Sequence, residues 1–187
     1  GMWKTFSNVP YYYFDRPYIC GLRQNATDRS NVALMHSGNQ EDGEIVLRLT
    51  VASGDPPFNT RTLPEITLTP GGFHQINEVL VYNGLSLSNG YVYIERVRGT
   101  ASYYAYGVIN DQMNSDGSFV PPMLRTPPAW TGYGFRWTVP VLIETAAFTS
   151  ELVLTNASER QRKLDFSFVA EGIQAQNHSA NFSIELS

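Results

Sequence analysis

The chain of 187 residues is 42% hydrophobic, so it can bury the core of one large β domain. Its net charge of −4 and the lack of any basic stretch argue against a nucleic-acid partner. No run approaches 18 apolar residues, so no membrane span is predicted. The single cysteine, Cys20, cannot form an internal disulfide, and its apolar neighbours are typical of a buried, inert thiol.

Short runs of β-branched and aromatic residues, separated by clusters of Gly, Pro, Asn, Asp and Ser, predict an all-β chain. The clearest strand is 44–51, in which Ile45, Leu47 and Leu49 share one face. A long loop is predicted over 53–64, and a turn over 70–72. Strands are predicted, in chain order, over 18–22, 31–37, 44–51, 65–69, 91–98, 101–110, 137–144, 150–156, 163–170 and 181–187.

One short helix is predicted between these strands, over 77–83. Asn77 is a capping residue, and Ile76 and Val81 suit a hydrophobic staple. Gly84 would end the helix. A helix of about two turns is marginal alone, so we expect packing to hold it.

The strands 91–98 and 101–110 are the two best in the chain. The tight connection Arg98-Gly99-Thr100 predicts that they form a hairpin. Both carry apolar residues on both faces, so we place them centrally in a sheet. Gly107 among large neighbours indicates a bulge or a close backbone approach.

The second half of the chain repeats the apolar pattern of the first. Residues 16–22 align with 136–142, and 30–36 align with 150–156. After a slip in a polar loop, Ile45, Leu47 and Leu49 match Leu164, Phe166 and Phe168, and 66–69 matches 184–187. The pattern therefore predicts two copies of one β module, the second incomplete.

The repeat sets the predicted domain bounds. Residues 1–15 are an N-terminal extension, 16–122 a complete β-sandwich module, 123–135 a Pro/Gly-rich linker, and 136–187 a partial second β module. A partial module leaves an open apolar edge. Either it packs onto the first copy, or it pairs with a second chain as a homodimer, or the natural protein continues.

Five stretches resemble a repeated module of large secreted bacterial proteins. They are SNVALMHSG at 30–38, LTPGGFHQINEVL at 68–80, GYVYIER at 90–96, YAYGVIND at 104–111 and SDGSFVPP at 115–122. The resemblance implies an antiparallel immunoglobulin-like β-sandwich, strung in tandem, with a non-catalytic extracellular role. Residues 1–10 show no signal-peptide pattern, so the secreted or cell-surface location is an expectation from the resemblance alone.

The loop 110–117 is a candidate calcium site, with Asp111, Asn114 and Asp116 as ligands. Its alternating oxygen-bearing residues ending in Asp-Gly partly match a calcium loop. The twelfth position of such a loop would be Met123 instead of Glu, and helical flanks are missing. The alternative is an ordinary turn, since Asp, Asn and Gly favour turns through local backbone hydrogen bonds. No other cofactor is predicted.

Aromatic residues make up 13% of the chain and cluster at 11–14, 103–106 and 130–137. Exposed rings could stack on sugars, and Trp130 and Tyr133 are the candidate carbohydrate-binding residues. The alternative is that the three clusters belong to the core and the junction between the repeats.

No catalytic constellation is found. His36, His74 and His178 are scattered, without metal-ligand spacing. Asp111 and Asp116 share one loop, whereas glycosidases set two carboxyl groups across a cleft. We therefore predict a protein that is not an enzyme. Its expected function is a non-catalytic extracellular binding or structural module for protein–protein or surface interaction; the alternative is a carbohydrate-binding accessory domain of a secreted enzyme.

Overall fold

The computed structural model describes residues 16–114, 116–124, 139, 142–147, 149–156, 160–169 and 179–186. The chain divides into two compact units, Gly1–Val153 and Leu154–Ser187. Strands dominate the described ranges, which confirms the all-β prediction. In order they are β1 (Pro17–Arg23), β2 (Asp28–His36), β3 (Ile45–Ser53), β4 (Thr60–Thr62), β5 (Ile66–Leu68), β6 (Phe73–Ile76), β7 (Asn89–Arg98), β8 (Tyr103–Asp111), β9 (Gly117–Val120), β10 (Met123–Leu124), β11 (Arg162–Val169) and β12 (Ser179–Leu186).

The first unit is a sandwich of two antiparallel sheets. Sheet A has the order β10-β1-β7-β3-β4, and β5 also pairs with β3. Sheet B has the order β6-β2-β8-β9. The chain passes from sheet B to sheet A through Pro121 and Pro122, which lie between β9 and β10. Proline has no N–H to donate to a ladder, so it suits this crossing point.

The core fills the space between the two sheets. Sheet A contributes alternate residues such as Leu47, Leu49 and Ile94, and sheet B contributes Val32 and Leu34, all fully buried. Burying one such side chain contributes about 1.5–3 kcal/mol, so this two-layer contact is the main source of stability. The strands predicted over 18–22, 31–37, 44–51 and 65–69 are confirmed as β1, β2, β3 and β5.

The predicted hairpin of strands 91–98 and 101–110 is wrong. Strand β7 lies between β1 and β3 in sheet A, and β8 lies between β2 and β9 in sheet B. Each strand is central, as predicted, but in a different sheet. The connection 99–102 therefore crosses the sandwich from one layer to the other.

Local hydrogen bonds explain why this short connection crosses between the sheets. Gly99 has a φ of +87°, and a Cβ atom there would lie 2.4 Å from the carbonyl oxygen of Glu44. One guanidinium nitrogen of Arg96 donates to the carbonyls of Thr100 and Ala101, at 3.0 and 2.8 Å. These contacts turn the chain away from β7 before a hairpin ladder can begin.

The predicted helix over 77–83 is also wrong. Turns cover residues 77–81, and a short 3-10 helix follows at Tyr82–Gly84. Glu78 and Asn83 have positive φ values of 50° and 55°, which are incompatible with an α-helix. The Glu78 N–H donates to Asn31 Oδ1 at 2.9 Å, and the Val79 N–H donates to the Ser30 carbonyl at 2.8 Å. The positive φ of Glu78 breaks the helical backbone directly after Asn77, and the bonds to β2 hold the segment in this turn.

The C-terminal predictions have mixed outcomes. The strands predicted over 163–170 and 181–187 are confirmed as β11 and β12. No regular strand occurs among the described residues of 137–144, where Glu144 forms only an isolated bridge with Thr149. Residues 150–156 likewise carry no strand. Across the described ranges, no helix is long and apolar enough to cross a membrane.

The second unit contains a two-stranded antiparallel hairpin with polar and apolar faces. Strands β11 and β12 pair over all eight residues of each strand, and Phe166 stacks on Phe182 with centroids 4.9 Å apart. The register places the apolar residues together on one face: Leu164, Phe166, Phe168, Phe182 and Ile184. Two-stranded hairpins are at best marginally stable in water, so this face favours contact with another layer.

Candidate functional site

The outer surface of sheet B carries an aromatic row that the alternation of β8 produces. Tyr103, Ala105 and Ile109 point into the core and are buried. Tyr104 and Tyr106 therefore point outward, because successive strand residues face opposite sides of a sheet. Both tyrosines are half-buried.

Strand pairing extends this row across the whole sheet. Met35 lies opposite Tyr104, and Phe73 lies opposite Met35. On the other side, Phe119 lies opposite Val108. We call this surface the aromatic face; it comprises Phe73, Met35, Tyr104, Tyr106, Val108 and Phe119.

The rings of the aromatic face are in contact with one another. The ring centroids of Tyr104 and Tyr106 lie 6.0 Å apart, and those of Tyr106 and Phe119 lie 5.5 Å apart. The two ends of the row are the most open, since Phe73 is 56% exposed and Phe119 is 47% exposed. Contiguous apolar surface of this kind, with polar surroundings, is typical of an interaction site.

The Tyr104 hydroxyl gives this face a polar group. Burial, and secondarily the neighbouring Tyr106, raises the pKa of Tyr104 above its ordinary value. The Tyr104 hydroxyl therefore stays protonated at physiological pH, and can both donate and accept a hydrogen bond.

The candidate calcium loop, 110–117, joins β8 to β9. Asp111 Oδ1 accepts the Met113 N–H at 2.7 Å, and Asn114 Oδ1 accepts the Asp116 N–H at 2.8 Å. These are the local side-chain-to-backbone bonds that make Asp and Asn favourable in turns. The described residues contain no cluster of three or more His, Cys, Asp or Glu side chains arranged to hold a metal. The calcium hypothesis for this loop stays a prediction.

The neighbouring β1–β2 loop anchors this turn. The Gln112 N–H donates to the Thr27 carbonyl at 2.6 Å, and the Gln112 amide donates to the Asn25 carbonyl at 3.0 Å. Asn25 Oδ1 in turn accepts the N–H groups of Thr27 and Asp28, each at 2.7 Å. The polar residues at this end of the sandwich thus hold two loops together.

Some of the remaining residues considered from the sequence lie outside the described ranges, and others have structural contacts. Trp130 and Tyr133, the predicted carbohydrate-binding pair, lie outside the described residues. His36 is buried, with Nε2 2.8 Å from the Gly43 carbonyl and Nδ1 accepting the Gly38 N–H at 3.2 Å, so it holds the β2–β3 loop. Glu95, a half-buried carboxylate on β7, pairs with Arg16.

Sequence reasoning identified the aromatic cluster 103–106 but missed Phe73, Met35 and Phe119 as its neighbours. These three residues come from β6, β2 and β9, and only the pairing register brings them beside β8. The alternation within β8 was a usable signal, because it separates Tyr104 and Tyr106 from the core residues on either side.

Comparisons with known proteins add little. No family model matches the sequence, and no curated protein matches it. Among solved structures, the crystal structure of Thermotoga maritima 1070 is similar over 59% of this chain and 90% of that chain. The identity is 12% and the TM-score is 0.43, so this likeness carries no argument about fold or function.

Proposed function

We propose that this protein is a non-catalytic binding module that recognises a protein partner through the aromatic face of sheet B. The observation that carries the proposal is the continuous row from Phe73 to Phe119, whose two ends are about half exposed. Tyrosine, phenylalanine and methionine are enriched in protein interfaces, where large rigid rings supply contact area at a low entropy cost.

The chemistry of the row favours a protein over a sugar. Phe73, Met35, Val108 and Phe119 offer no side-chain hydrogen bonds, whereas a sugar presents hydroxyl groups that need partners. The flanking amides are already engaged within the chain. Asn31 Oδ1 accepts the Glu78 N–H at 2.9 Å, and the Gln75 amide donates to Asn77 Oδ1 at 2.6 Å.

The strand pairing supports an immunoglobulin-like relation for the first unit. Immunoglobulin domains set strands A-B-E-D against C-F-G. Here β1-β7-β3 corresponds to B-E-D and β2-β8-β9 to C-F-G, and β10 takes the place of strand A beside β1. Strands β4, β5 and β6 are additions to that pattern. The resemblance to tandem modules of secreted bacterial proteins, and the extracellular role, are part of this proposal.

The C-terminal hairpin gives partial support for an internal repeat. Strand β11 pairs antiparallel with β12, as β3 pairs with β5. The register differs by two residues. In the first copy Ile45 faces Leu68, so an exact repeat would set Leu164 opposite Leu186. Leu164 instead faces Ile184. We propose that this incomplete second module associates with a second copy of the chain through its apolar face.

Carbohydrate binding is the second candidate function. The described residues that favour it are Tyr91 and Tyr93 of β7, on the outer surface of sheet A. This surface lies on the other side of the sandwich from the aromatic face. Trp130 and Tyr133 remain the residues predicted for it from the sequence alone.

Selection from a library of displayed random peptides tests the protein-binding proposal. Peptides are selected on the wild-type protein and then counter-screened on Tyr106→Ala, which removes the central ring of the aromatic face. Tyr82→Ala is the matched control, because Tyr82 is an exposed ring in the 3-10 turn and belongs to no strand of either sheet.

We expect the selection to enrich peptides that bind the wild type and Tyr82→Ala but do not bind Tyr106→Ala. Selected peptides that bind all three proteins equally would contradict the proposal, and so would a library that yields no binder.

A further inference from the structure

The outer surface of sheet A carries a second ring cluster with a different composition. Tyr18 of β1 lies opposite Tyr93 of β7, and their ring centroids are 5.8 Å apart. Tyr91, two residues before Tyr93 on the same strand face, lies 6.2 Å from Tyr18. Tyr18 is only 7% exposed, whereas Tyr91 and Tyr93 are half-buried. We call this group of Tyr18, Tyr91 and Tyr93 the tyrosine face.

Hydrogen-bonding groups surround the tyrosine face. The Arg16 guanidinium lies 5.6 Å from the Tyr93 ring centroid and also pairs with Glu95. On the other side of Tyr93, Thr50 lies opposite it in the register, and its hydroxyl contacts that of Thr62 at 3.2 Å. The row of the aromatic face consists mainly of Phe, Met and Val side chains, so the two surfaces suit different ligands.

The charges beside the tyrosine face cancel in pairs. Arg16 pairs with Glu95, and Arg48, which lies opposite Glu95 in the register, pairs with Glu65 at 2.5 Å. Among the described residues beside this face, these two positive and two negative groups cancel. A surface of this kind complements a neutral polar ligand better than an anionic polymer, which needs unpaired basic groups.

We propose that the tyrosine face binds a neutral glycan. The rings of Tyr91 and Tyr93 offer apolar surface to the C–H groups of a pyranose, and their hydroxyls bind its hydroxyl groups. Tyr18 is buried and packs 5.8–6.2 Å from both other rings, so Tyr91 and Tyr93, two residues apart on one strand face, are the rings that offer a surface to one extended chain. The site lies on the opposite sheet from the proposed protein-binding face and stands independently of it.

The ionisation state of Tyr91 agrees with this assignment. Burial is the first cause that raises its pKa above the ordinary value, followed by the neighbouring Tyr18, Tyr93 and Cys20. The Tyr91 hydroxyl is therefore neutral at physiological pH and available as donor and acceptor to a sugar hydroxyl.

Affinity gel electrophoresis of the full chain tests the proposal. The gels contain barley β-glucan, xylan, galactomannan or dextran, with heparin and alginate as anionic comparisons. We expect retardation by at least one neutral polysaccharide and a weaker effect of the anionic polymers. Loss of one stacking ring in Tyr93→Ala should weaken binding about five- to tenfold, with Tyr82→Ala unchanged.

A second variant separates loss of binding from loss of folding. Tyr93→Leu keeps a large apolar side chain beside Tyr18 but removes the ring and the hydroxyl, so it should also bind weakly while keeping the wild-type thermal midpoint. Absence of retardation by all four neutral polysaccharides overturns the proposal. So does unchanged binding in both Tyr93 variants, or stronger binding of heparin or alginate.

Discussion

Substitution of Gly107 by alanine tests the contact between the two sheets that present both candidate surfaces. Gly107 lies at the centre of sheet B, between Val32 and Val120, and its missing side chain would point into the core. A Cβ atom there would lie 2.7 Å from Ile19 Cγ2, and 3.2 Å from both Leu22 Cδ2 and Val120 Cβ. Ile19 and Leu22 are fully buried, so neither can move aside into solvent.

The size of the effect follows from two opposing contributions. Overpacking of a core costs about 1–3 kcal/mol. Replacing a strand glycine by alanine recovers roughly 0.5–1 kcal/mol, because the unfolded chain loses conformational freedom. We therefore expect Gly107→Ala to lower the free energy of unfolding by about 1–2 kcal/mol. With a urea m-value of roughly 2 kcal/mol per molar, the midpoint falls by about 0.5–1 M.

Urea unfolding followed by tyrosine and tryptophan fluorescence measures this shift. Gly117→Ala is the control, because Gly117 lies on the exposed edge strand β9 and its new methyl group would meet only Val108 and Asn110 of the same sheet. We expect that control to change the midpoint by less than half as much. An unchanged or higher midpoint for Gly107→Ala would refute the close packing of β8 against β1.

Three further outcomes are expected. The free energy of unfolding should be constant with pH up to about 10 and fall above it, because the raised pKa values of Tyr91 and Tyr104 make the unfolded chain lose those protons first. Urea midpoints at pH 8–11 check this, and a midpoint that rises above pH 10 would contradict it. If the loop 110–117 is only a turn, the thermal midpoint should be equal in calcium and in chelator, whereas a higher midpoint in calcium would establish the ion site. Phe182→Ser, at a 50% exposed ring of the hairpin, should shift sedimentation from dimer towards monomer, with Asn181→Ser as the control on the polar face; a wild-type monomer at all concentrations would refute the proposed dimer.

The sequence predicted strands best where alternation alone decides the structure. In the stretch 44–51 every second residue is apolar, and this stretch became β3 with Leu47 and Leu49 fully buried. The close approach at Gly107 was also readable, because a glycine between large strand neighbours leaves room for another backbone or side chain.

Tertiary hydrogen bonds hold the segment for which the helix prediction failed, and a side-chain bond within the connection accompanies the failed hairpin prediction. The pattern after Ile76 satisfies the usual rules for a helix start, yet Glu78 has a φ of 50°. The N–H groups of Glu78 and Val79 bond to strand β2, more than 40 residues earlier in the chain, and hold this turn. The link after Arg98 has the length of a hairpin turn, yet Arg96 bonds to the following carbonyls and the chain changes sheet. The β2 partners of Glu78 and Val79 cannot be inferred from local spacing.

The candidate sites were likewise predictable in part, from the alternation within one strand but not from the pairing between strands. Tyr104 and Tyr106 stand out in the sequence as an aromatic cluster, and the strand period places them on one face. Their neighbours Phe73 and Phe119 are distant in the chain, and join them only through the pairing of β6, β2, β8 and β9. The tyrosine face likewise depends on the register that sets Tyr18 opposite Tyr93.

The most direct test of the protein-binding role is the affinity of the protein for one selected peptide. The peptide is chosen from the display selection on the wild-type protein alone, before the counter-screen on the variant. Isothermal titration compares wild type, Tyr106→Ala and Tyr82→Ala. Truncation of a central aromatic anchor typically costs about 1–2 kcal/mol or more, which is roughly a five- to thirtyfold loss. We predict that loss for Tyr106→Ala and an unchanged dissociation constant for Tyr82→Ala. Equal affinities for all three proteins would contradict the assignment of the aromatic face as the binding surface.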